Sequence, residues 1–449
     1  MSDTKPCGFN EKRIAKPHPP RAFMRKVTMA IAALCFCGSL SAQPVDSLSI
    51  KIGQMILIGF PGTTVDPLVL EEIRSGKVGS IVLFEKNIPK TKYAGVKINE
   101  QKRDTIYSSF VPLKKIIWTY QQASTIPLMV TIDQEGGRVN RLKEKYGFSR
   151  SITAQEMGRP ISLDSVRFYS ETTAAMLAGL GINVNFAPVV DLGVNKDNTV
   201  IYKVGRAFSA NPDTVTIMAN EFIRAHRKLG VLTVLKHFPG HGSSMADTHV
   251  GVADVTKTWT SAELIPYERL IAAGAVDAVM SAHIVNRNLD PEGFPGTLSR
   301  RIIDSLLRKQ YNYQGVVFSD DMQMHAITKE YGLEEAIKRA IHAGIDILMF
   351  SNNIHGSEGR TVTKVHGIIR QLVESGQVEQ SRINESYRRI IKMKAGIGLP
   401  AVDYLQAELN ATKSEVSKLK ETAAQTNVKK EGEPKETEKP KEKKKGRKK

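Results

Sequence analysis

The sequence predicts an α/β protein whose single catalytic domain is a closed (β/α)8 barrel. From residue 52 to about 398, short apolar runs rich in β-branched residues alternate with longer helical patterns, which is typical of repeated βα units and a parallel sheet. There are eight such runs, and eight strands with intervening helices favour a TIM barrel over an open doubly wound sheet. No Gly-x-Gly-x-x-Gly follows the first run, which argues against a dinucleotide-binding domain.

Each predicted element has a recognisable segment. The eight candidate strands are residues 54–60, 79–84, 127–133, 182–192, 232–238, 277–283, 315–320 and 346–351. Several of the helical stretches between them end on a glycine, which suits a helix C-cap. Residues 86–112 break the rhythm, because they form a long polar segment between the second strand and its helix. We interpret them as an insertion near the carboxyl end of the second strand.

The first 43 residues predict a leader that is removed from the mature chain. A Met-Arg-Lys start at Met24, an apolar run over 27–40 and small residues ending at Gln43 form the layout of a secretory signal peptide. We therefore expect Met24 to be the true start and the protein to be secreted or periplasmic. All three cysteines, at positions 7, 35 and 37, lie in this leader. The mature chain would then have no disulfide, thiolate metal site or cysteine nucleophile.

Residues 401–449 predict a tail beyond the barrel domain, which we place at residues 44–400. A weak amphipathic helix over 402–424 precedes a Lys/Glu-rich segment too polar to bury, so we expect that segment to be disordered. The net charge is +18, of which the leader and the tail each contribute +5. The folded part is therefore not a predicted nucleic-acid binder. We expect a monomer, with weak contact of the tail to an anionic envelope as an open alternative to a solvated tail.

Ionisable side chains stand at the carboxyl ends of five of the eight candidate strands. In a barrel of this kind, active-site residues come from those ends and from the loops that follow. Burying such groups together without a ligand would cost stability, so we expect them to converge on one pocket. They are Asp133, Asp191, Lys236 with His237, His283, and Asp320 with Asp321.

The loop after the fifth strand, LKHFPGHGSSMADTHV, leaves three interpretations open. A zinc site would use His237, His241, Asp247 and His249, but their irregular spacing does not present imidazoles on one helix face. A phosphate cradle would place a lysine after the glycines, whereas Lys236 precedes them. In a catalytic dyad, Asp247 would accept a hydrogen bond from one nitrogen of His249 and raise the basicity of the other. The glycines and proline of the loop would then act as hinges.

Five motifs together resemble glycoside hydrolase family 3, specifically its β-N-acetylglucosaminidase branch. The resemblance covers roughly residues 50–398, and its most specific part is the Asp-x-His of the fifth loop. The motifs are DQEGGRV (133–139), NFAPVVD (185–191), GRAFS (205–209), KHFPGHGSSMADTH (236–249) and GVVFSDDM (315–322).

The resemblance implies a role for each matching residue. Asp320 would be the nucleophile, and Asp247 with His249 would form the acid/base dyad. The mechanism would retain configuration: His249 protonates the leaving oxygen, Asp320 forms a covalent glycosyl-enzyme, and His249 activates water to release it. No metal or cofactor is implied. Sugar hydroxyls would be held by Asp133, Arg206, Lys236 and His237.

The adjacent acids Asp320 and Asp321 also allow a substrate-assisted reaction, in which the acetamido group of the sugar performs the attack. The resemblance favours direct attack by Asp320. We therefore expect a retaining β-N-acetylglucosaminidase that removes terminal non-reducing N-acetylglucosamine, with peptidoglycan fragments as substrates. A phosphorylase, a β-glucosidase of the same family and a non-catalytic glycan-binding barrel are the alternatives. Because His249 must exchange a proton while Asp320 stays ionised, activity should be bell-shaped around mildly acidic to neutral pH.

Overall fold

The barrel predicted from the sequence is present. The computed structural model describes residues 46–89, 101–159, 162–245, 253–324, 327, 330–353 and 362–397. Eight parallel strands close into a barrel, and each lies within or overlaps one candidate run, so the fold class is confirmed. The barrel strands are β1 (Ile56–Gly59), β2 (Ser80–Leu83), β3 (Met129–Ile132), β4 (Val184–Asn185), β5 (Leu232–Phe238), β7 (Ala278–Ser281), β9 (Val316–Asp321) and β10 (Ile347–Phe350). Around the barrel their order is β1-β10-β9-β7-β5-β4-β3-β2.

A parallel barrel needs strands that are apolar on both faces, because helices cover the outside and side chains fill the inside. Every residue of β1, β2, β3, β7 and β10 is buried, which explains why these strands read as continuous apolar runs. Inside the barrel, the rings of Phe186 and Phe318 pack edge to face with centroids 5.5 Å apart. Phe186 follows β4, and Phe318 lies on β9. Because these two strands are not neighbours, the contact crosses the barrel interior.

In the described part of the chain, ten α-helices and one irregular helical segment accompany the strands. The segment Arg301–Gln310 is π-helical, and the N–H of Tyr311 bonds the carbonyl of Leu306 at its end. None of the helices in the described ranges is both long and apolar enough to cross a bilayer. The helices are α1 (Ser47–Gln54), α2 (Pro67–Arg74), α3 (Gln101–Ala123), α4 (Ala154–Met157), α5 (Leu163–Leu180), α6 (Pro212–Lys228), α7 (Ile265–Ala272), α8 (Leu333–Ala343), α9 (Val362–Glu374) and α10 (Gln380–Lys394).

Outside the barrel, the two short strands β6 (Ala253–Asp254) and β8 (Ile284–Val285) pair in parallel. They belong to the connections that follow β5 and β7. Trp259 packs against their apolar residues, and its indole N–H donates to the carbonyl of Pro239 at 3.1 Å. This small sheet therefore supports the connection after β5 from the outside.

The predicted insertion over residues 86–112 is too long. Helix α3 already begins at Gln101, and Pro112 lies inside it rather than before it. Helical spacing on the buried face explains the difference, since Leu113, Ile117 and Tyr120 are at most 2% exposed. A polar first half hides this periodicity in the sequence. Residues 90–100, together with the predicted leader and the predicted tail, lie outside the described residues.

At the amino ends of the strands, α10 is bound to the barrel through a buried carboxylate. Asp346, just before β10, accepts hydrogen bonds from Ser386 (2.8 Å), Arg382 (3.2 Å) and Arg389 (3.3 Å) on that helix. It also accepts one from Arg308 at 2.5 Å. Burial disfavours the charge of Asp346, but the three arginines outweigh it and hold the pKa of the carboxyl below its ordinary value.

A buried lysine lies at the same end of the barrel. Lys394 donates to the side-chain oxygen of Gln54 at 2.6 Å and to the carbonyl of Gly79 at 2.7 Å. It is only 2% exposed, and burial lowers the pKa of its ammonium to about 7. The folded protein therefore releases this proton near neutral pH, while the unfolded chain keeps it until about pH 10.

We predict that Lys394 makes stability rise with pH above neutrality. Because the unfolded state binds more protons than the folded state between about pH 7 and 10, the free energy of unfolding should increase over that interval. From pH 7 to pH 9, the free energy of unfolding of the wild type should increase by about 2 kcal/mol more than that of Lys394→Met. Urea unfolding at both pH values measures this difference. The exposed Lys392, replaced by Met, is the matched control and should follow the wild type; equal pH dependence in all three proteins would contradict the prediction.

Candidate active site

A polar pocket of about 360 Å³ opens at the carboxyl ends of the barrel strands. It contains the five described residues to which the sequence assigned substrate binding or nucleophilic attack. A second cavity, of about 400 Å³, lies at the opposite end beside Leu232 and Val316, where a barrel enzyme does not place its chemistry. The pocket is lined by Phe84, Asp133, Glu135, Val139, Arg141, Arg206, Lys236, His237, Met280, Asp320, Asp321, Met324, Met349, Ser351 and Asn353.

One wall of the pocket is a chain of alternating charges. The ammonium of Lys236 lies 2.7 Å from a carboxylate oxygen of Asp133 and 2.6 Å from one of Glu135. The guanidinium of Arg206 binds Glu135 with two bonds, of 2.7 Å and 2.8 Å. Two-bond arginine–carboxylate pairs fix orientation as well as charge. The four side chains therefore hold one another in a fixed arrangement.

The charges of this wall are maintained by pairing. Burial disfavours ionisation of Asp133 and Glu135, but the neighbouring cations outweigh it and hold the pKa of both carboxyls below the ordinary range. Burial also disfavours the charge of Arg206, yet Glu135 raises its pKa above the ordinary value. All three groups therefore stay charged across the physiological range and present fixed acceptors and donors to a ligand.

His237 is held in one tautomer by partners on both ring nitrogens. Its Nδ1 lies 2.7 Å from the buried carboxylate of Asp191, and its Nε2 lies 3.2 Å from the guanidinium of Arg206. A carboxylate accepts and a guanidinium only donates, so the proton belongs on Nδ1 and the lone pair on Nε2. Burial opposes the charge of Asp191, but the interaction with His237 keeps the pKa of that carboxyl low. Next to Arg206, Nε2 is poorly placed for a metal ion.

Glu135 and Arg141 are pocket residues that the sequence reasoning missed. Arg141 lies 3.1 Å from Asp133 and 5.5 Å from the ring centre of Phe84. Both residues belong to the segment DQEGGRVNR, in which only Asp133 was singled out. The partners of Glu135 are 71 and 101 positions away along the chain, so spacing alone could not reveal them. Three charged residues within eight positions of Asp133, at 135, 138 and 141, are the signal that the sequence offers.

The opposite wall carries the acidic pair at the end of β9. One carboxylate oxygen of Asp320 accepts the N–H of Asp321 at 2.8 Å, which orients the carboxylate. The carboxyl of Asp321 is buried and accepts a hydrogen bond from the Ser351 hydroxyl. Burial raises its pKa to about 6, with the charge of Asp320 acting in the same direction and Ser351 against it. The two neighbouring acids thus stand in different environments.

Asp247 and His249 lie outside the described residues, so the dyad stays a prediction. Residues 239–245 of their loop are described; residues 239–244, the strand-five turn, are buried, whereas Met245 is exposed. Glu263 accepts the N–H groups of Gly242 at 2.7 Å and Ser243 at 3.2 Å. Burial raises the pKa of Glu263 to about 7. Two backbone bonds to one buried carboxyl therefore fix the turn.

The two glycines of this turn lie against neighbouring segments of the chain. A Cβ on Gly242 would lie 1.9 Å from the carbonyl oxygen of Leu192, and one on Gly240 would lie 2.6 Å from the Cβ of Glu263. Asn198 further donates to the carbonyls of His241 (2.9 Å) and Gly242 (3.1 Å). These glycines are needed for close approach of the backbone to its neighbours, and the hinge interpretation stays a prediction.

His241, which has no role in the predicted mechanism, belongs to the packed interior of the turn. It is 4% exposed, and its ring meets that of His237 edge to face at 5.8 Å. Burial, together with the nearby His237, lowers its pKa to about 4, so the ring is neutral at physiological pH. Within the described residues, no group of three or more His, Cys, Asp or Glu side chains is arranged to hold a metal ion.

The fold and the pocket are those of a barrel enzyme, and comparison with known proteins gives its class and family. The model of the glycosyl hydrolase family 3 N-terminal domain matches residues 47–393. The chain therefore belongs to glycoside hydrolase family 3. A β-hexosaminidase of Tolumonas auensis is 32% identical over 307 residues, which are 67% of this chain and 84% of that protein. A β-hexosaminidase of Xylella fastidiosa (strain M23) is 34% identical over 302 residues, 66% and 82% respectively.

Solved structures agree with this assignment. A family 3 β-N-acetylglucosaminidase from Paenibacillus sp. superposes with a TM-score of 0.69 and 30% identity, covering 80% of this chain and 63% of that one. A β-N-acetylhexosaminidase from Beutenbergia cavernae superposes with a TM-score of 0.66 and 27% identity, covering 78% of this chain and 98% of that one. The chain is thus a family 3 glycoside hydrolase of the β-hexosaminidase branch.

We predict that Gly242→Ala damages both stability and activity. The added methyl group collides with backbone rather than with a flexible side chain, so the free energy of unfolding should fall by roughly 2–3 kcal/mol. Gly367, which is exposed within α9 and has no atom within 4 Å of an added Cβ, gives the matched control. Gly367→Ala should stabilise by about 0.5–1 kcal/mol. Urea unfolding and turnover measure both variants; a Gly242→Ala enzyme with wild-type stability and turnover would contradict the packing role of Gly242.

Proposed function

We propose that the protein is a retaining β-N-acetylglucosaminidase in which Asp320 is the nucleophile. The observation that carries this proposal is the position of Asp320, whose carboxylate reaches the pocket at the end of β9 and is oriented by the N–H of Asp321. The charged wall of Asp133, Lys236 and Arg206 lines the same pocket. A nucleophile and a set of hydroxyl-binding groups around one cavity are what glycoside cleavage needs.

The charged wall suits recognition of a sugar ring. Hydroxyl groups both donate and accept hydrogen bonds, so a wall that alternates carboxylates with cations can bind several of them at once. Asp133 would accept from hydroxyls, while Lys236 and Arg141 would donate to them. Because Lys236 and Glu135 already neutralise each other, binding a neutral sugar leaves no charge unpaired.

The chemistry proposed at this pocket has two steps. Asp320 attacks the anomeric carbon while an acid protonates the leaving oxygen, and a glycosyl ester of Asp320 results. Water, deprotonated by the same acid/base group, then attacks the anomeric carbon and frees Asp320. We assign the proton transfers to His249, with Asp247 orienting its ring and stabilising its protonated form. This assignment rests on the Asp-x-His motif of the fifth loop.

We further propose that the substrates are fragments of peptidoglycan that carry a terminal non-reducing N-acetylglucosamine, met outside the cytoplasm. The support is the signal-peptide pattern before residue 44, since an exported enzyme of this branch would encounter envelope glycans. Sequencing the amino terminus of the protein recovered from its natural host tests export. A first residue at or near Pro44 supports it, and retention of Met24 would contradict it.

We predict a marked preference for an N-acetylglucosaminide and independence from phosphate. 4-Nitrophenyl β-N-acetylglucosaminide should be cleaved much faster than the β-glucoside, with the same rate and the same free-sugar product whether or not phosphate is present. Formation of a sugar phosphate that requires inorganic phosphate would make the enzyme a phosphorylase, and a preference for the glucoside would make it a β-glucosidase.

In the same assay, Asp320→Ala should lower kcat by ~10³-fold or more, because the covalent route is lost. Asp247→Ala should slow turnover by ~10²-fold or more, since the proton is then transferred without its orienting partner. Asp164, a highly exposed acid on α5, provides the control, and Asp164→Ala should match the wild type. Wild-type turnover by Asp320→Ala would contradict the proposal.

A further inference from the structure

Asp321, the acid next to the proposed nucleophile, has contacts that tie two strands together. Its carboxylate accepts hydrogen bonds from the hydroxyl of Ser351, from the N–H of Ser351 at 3.2 Å and from the N–H of Gln323 at 3.1 Å. Asp321 is the last residue of β9 and Ser351 follows β10, which is its neighbour in the barrel. The side chain is 5% exposed, so these bonds are shielded from water.

A histidine holds the backbone of Asp321 from the opposite side. The Nε2 of His283 lies 2.9 Å from the carbonyl oxygen of Asp321, and it must carry a proton because a carbonyl only accepts. The Nδ1 of the same ring lies 2.8 Å from the hydroxyl of Thr297, which fixes the ring plane. His283 follows β7, the other neighbour of β9, and is fully buried.

Asp321, held by these contacts on both sides, orients the carboxylate of Asp320. The N–H of Asp321 donates to one carboxylate oxygen of Asp320 at 2.8 Å. A displacement of Asp321 would therefore move the donor that orients Asp320. Ser351 on one side and His283 on the other both resist such a displacement.

We propose that Asp321 is the positioning residue of this active site. Anchored to Ser351 through its carboxyl and to His283 through its carbonyl, it fixes the N–H that aims the carboxylate of Asp320. The inference deepens the proposed function and rests on Asp320 as nucleophile. Covalent attack requires the carboxylate oxygen in line with the anomeric carbon, and an error of about 1 Å in this position can lower the rate ~10²-fold. Sugar binding, which depends on the opposite wall, should be little affected.

The test compares Asp321→Ala with Asp321→Asn on 4-nitrophenyl β-N-acetylglucosaminide. Alanine removes all three acceptor contacts, so kcat should fall ~10²-fold while KM stays within about twofold. Asparagine keeps an oxygen for the two N–H groups and offers an NH₂ to the Ser351 hydroxyl, so it should recover most of kcat. Wild-type kcat in Asp321→Ala would overturn the inference, and so would an asparagine variant as impaired as the alanine variant.

Two further variants cover the case in which Asp321→Ala does not fold. Ser351→Ala deletes one donor to Asp321 and should lower kcat ~10-fold without raising KM. His283→Ala deletes the bond to the Asp321 carbonyl and should act in the same way. His342 gives the matched control, because its Nε2 also binds a backbone carbonyl, that of Gln377 at 2.9 Å, on the exposed surface. His342→Ala should equal the wild type, and a KM increase in place of the kcat loss would overturn the positioning role.

Asp320→Ala, measured alongside, separates this inference from the proposed function. If Asp320→Ala is inactive while the Asp321, Ser351 and His283 variants all turn over normally, Asp320 remains the nucleophile and only the positioning role is wrong. If Asp320→Ala keeps wild-type turnover, the proposed function itself is wrong. The inference requires loss of activity in Asp320→Ala and a graded loss of kcat in the other variants.

Discussion

The pocket depends on the pairing of Glu135 with two cations. Lys236 and Arg206 both bind this carboxylate, and Lys236 also binds Asp133, so the ends of β3 and β5 and the connection after β4 are joined through paired charges. An unpaired buried charge costs several kcal/mol, whereas the complete set is neutralised within itself. This complete pairing of charges fixes the side chains before a ligand binds. A neutral sugar can then exchange hydrogen bonds with the wall without breaking its charge balance.

In the rest of the site, buried carboxyls hold the backbone in place by accepting hydrogen bonds from its N–H groups. Asp191 accepts the N–H of His241 at 2.8 Å, and Glu263 fixes the following residues of the strand-five turn. Asp321 does the same between β9 and β10. Such bonds leave little freedom to the backbone at the carboxyl ends of the strands. The backbone around the pocket is therefore held in place before a ligand binds.

Much of this could be predicted from the sequence because parallel barrels obey a simple rule. Strands buried on both faces read as apolar runs, and polar residues at their carboxyl ends meet in one place, which predicts Asp133, Lys236, His237 and Asp320 as site residues. Arg206 is not at a strand end, and only the family resemblance of its GRAFS motif indicates it. Contacts between distant segments could not be predicted, as Glu135 and the strand-five turn illustrate. Local composition suggested hinges at Gly240 and Gly242, but the atoms that crowd them belong to Leu192 and Glu263. The first half of α3 was missed because its periodicity is hidden among polar residues.

The central claim is that the carboxylate of Asp320 forms a bond to the sugar. Incubation with a slow, fluorinated N-acetylglucosaminide, followed by proteolysis and mass spectrometry, tests it most directly. The account predicts one added sugar, located on the peptide that contains Asp320 and absent from Asp320→Ala. A cyclised oxazoline product with no adduct on the protein would contradict the account and would show that the acetamido group of the substrate performs the attack.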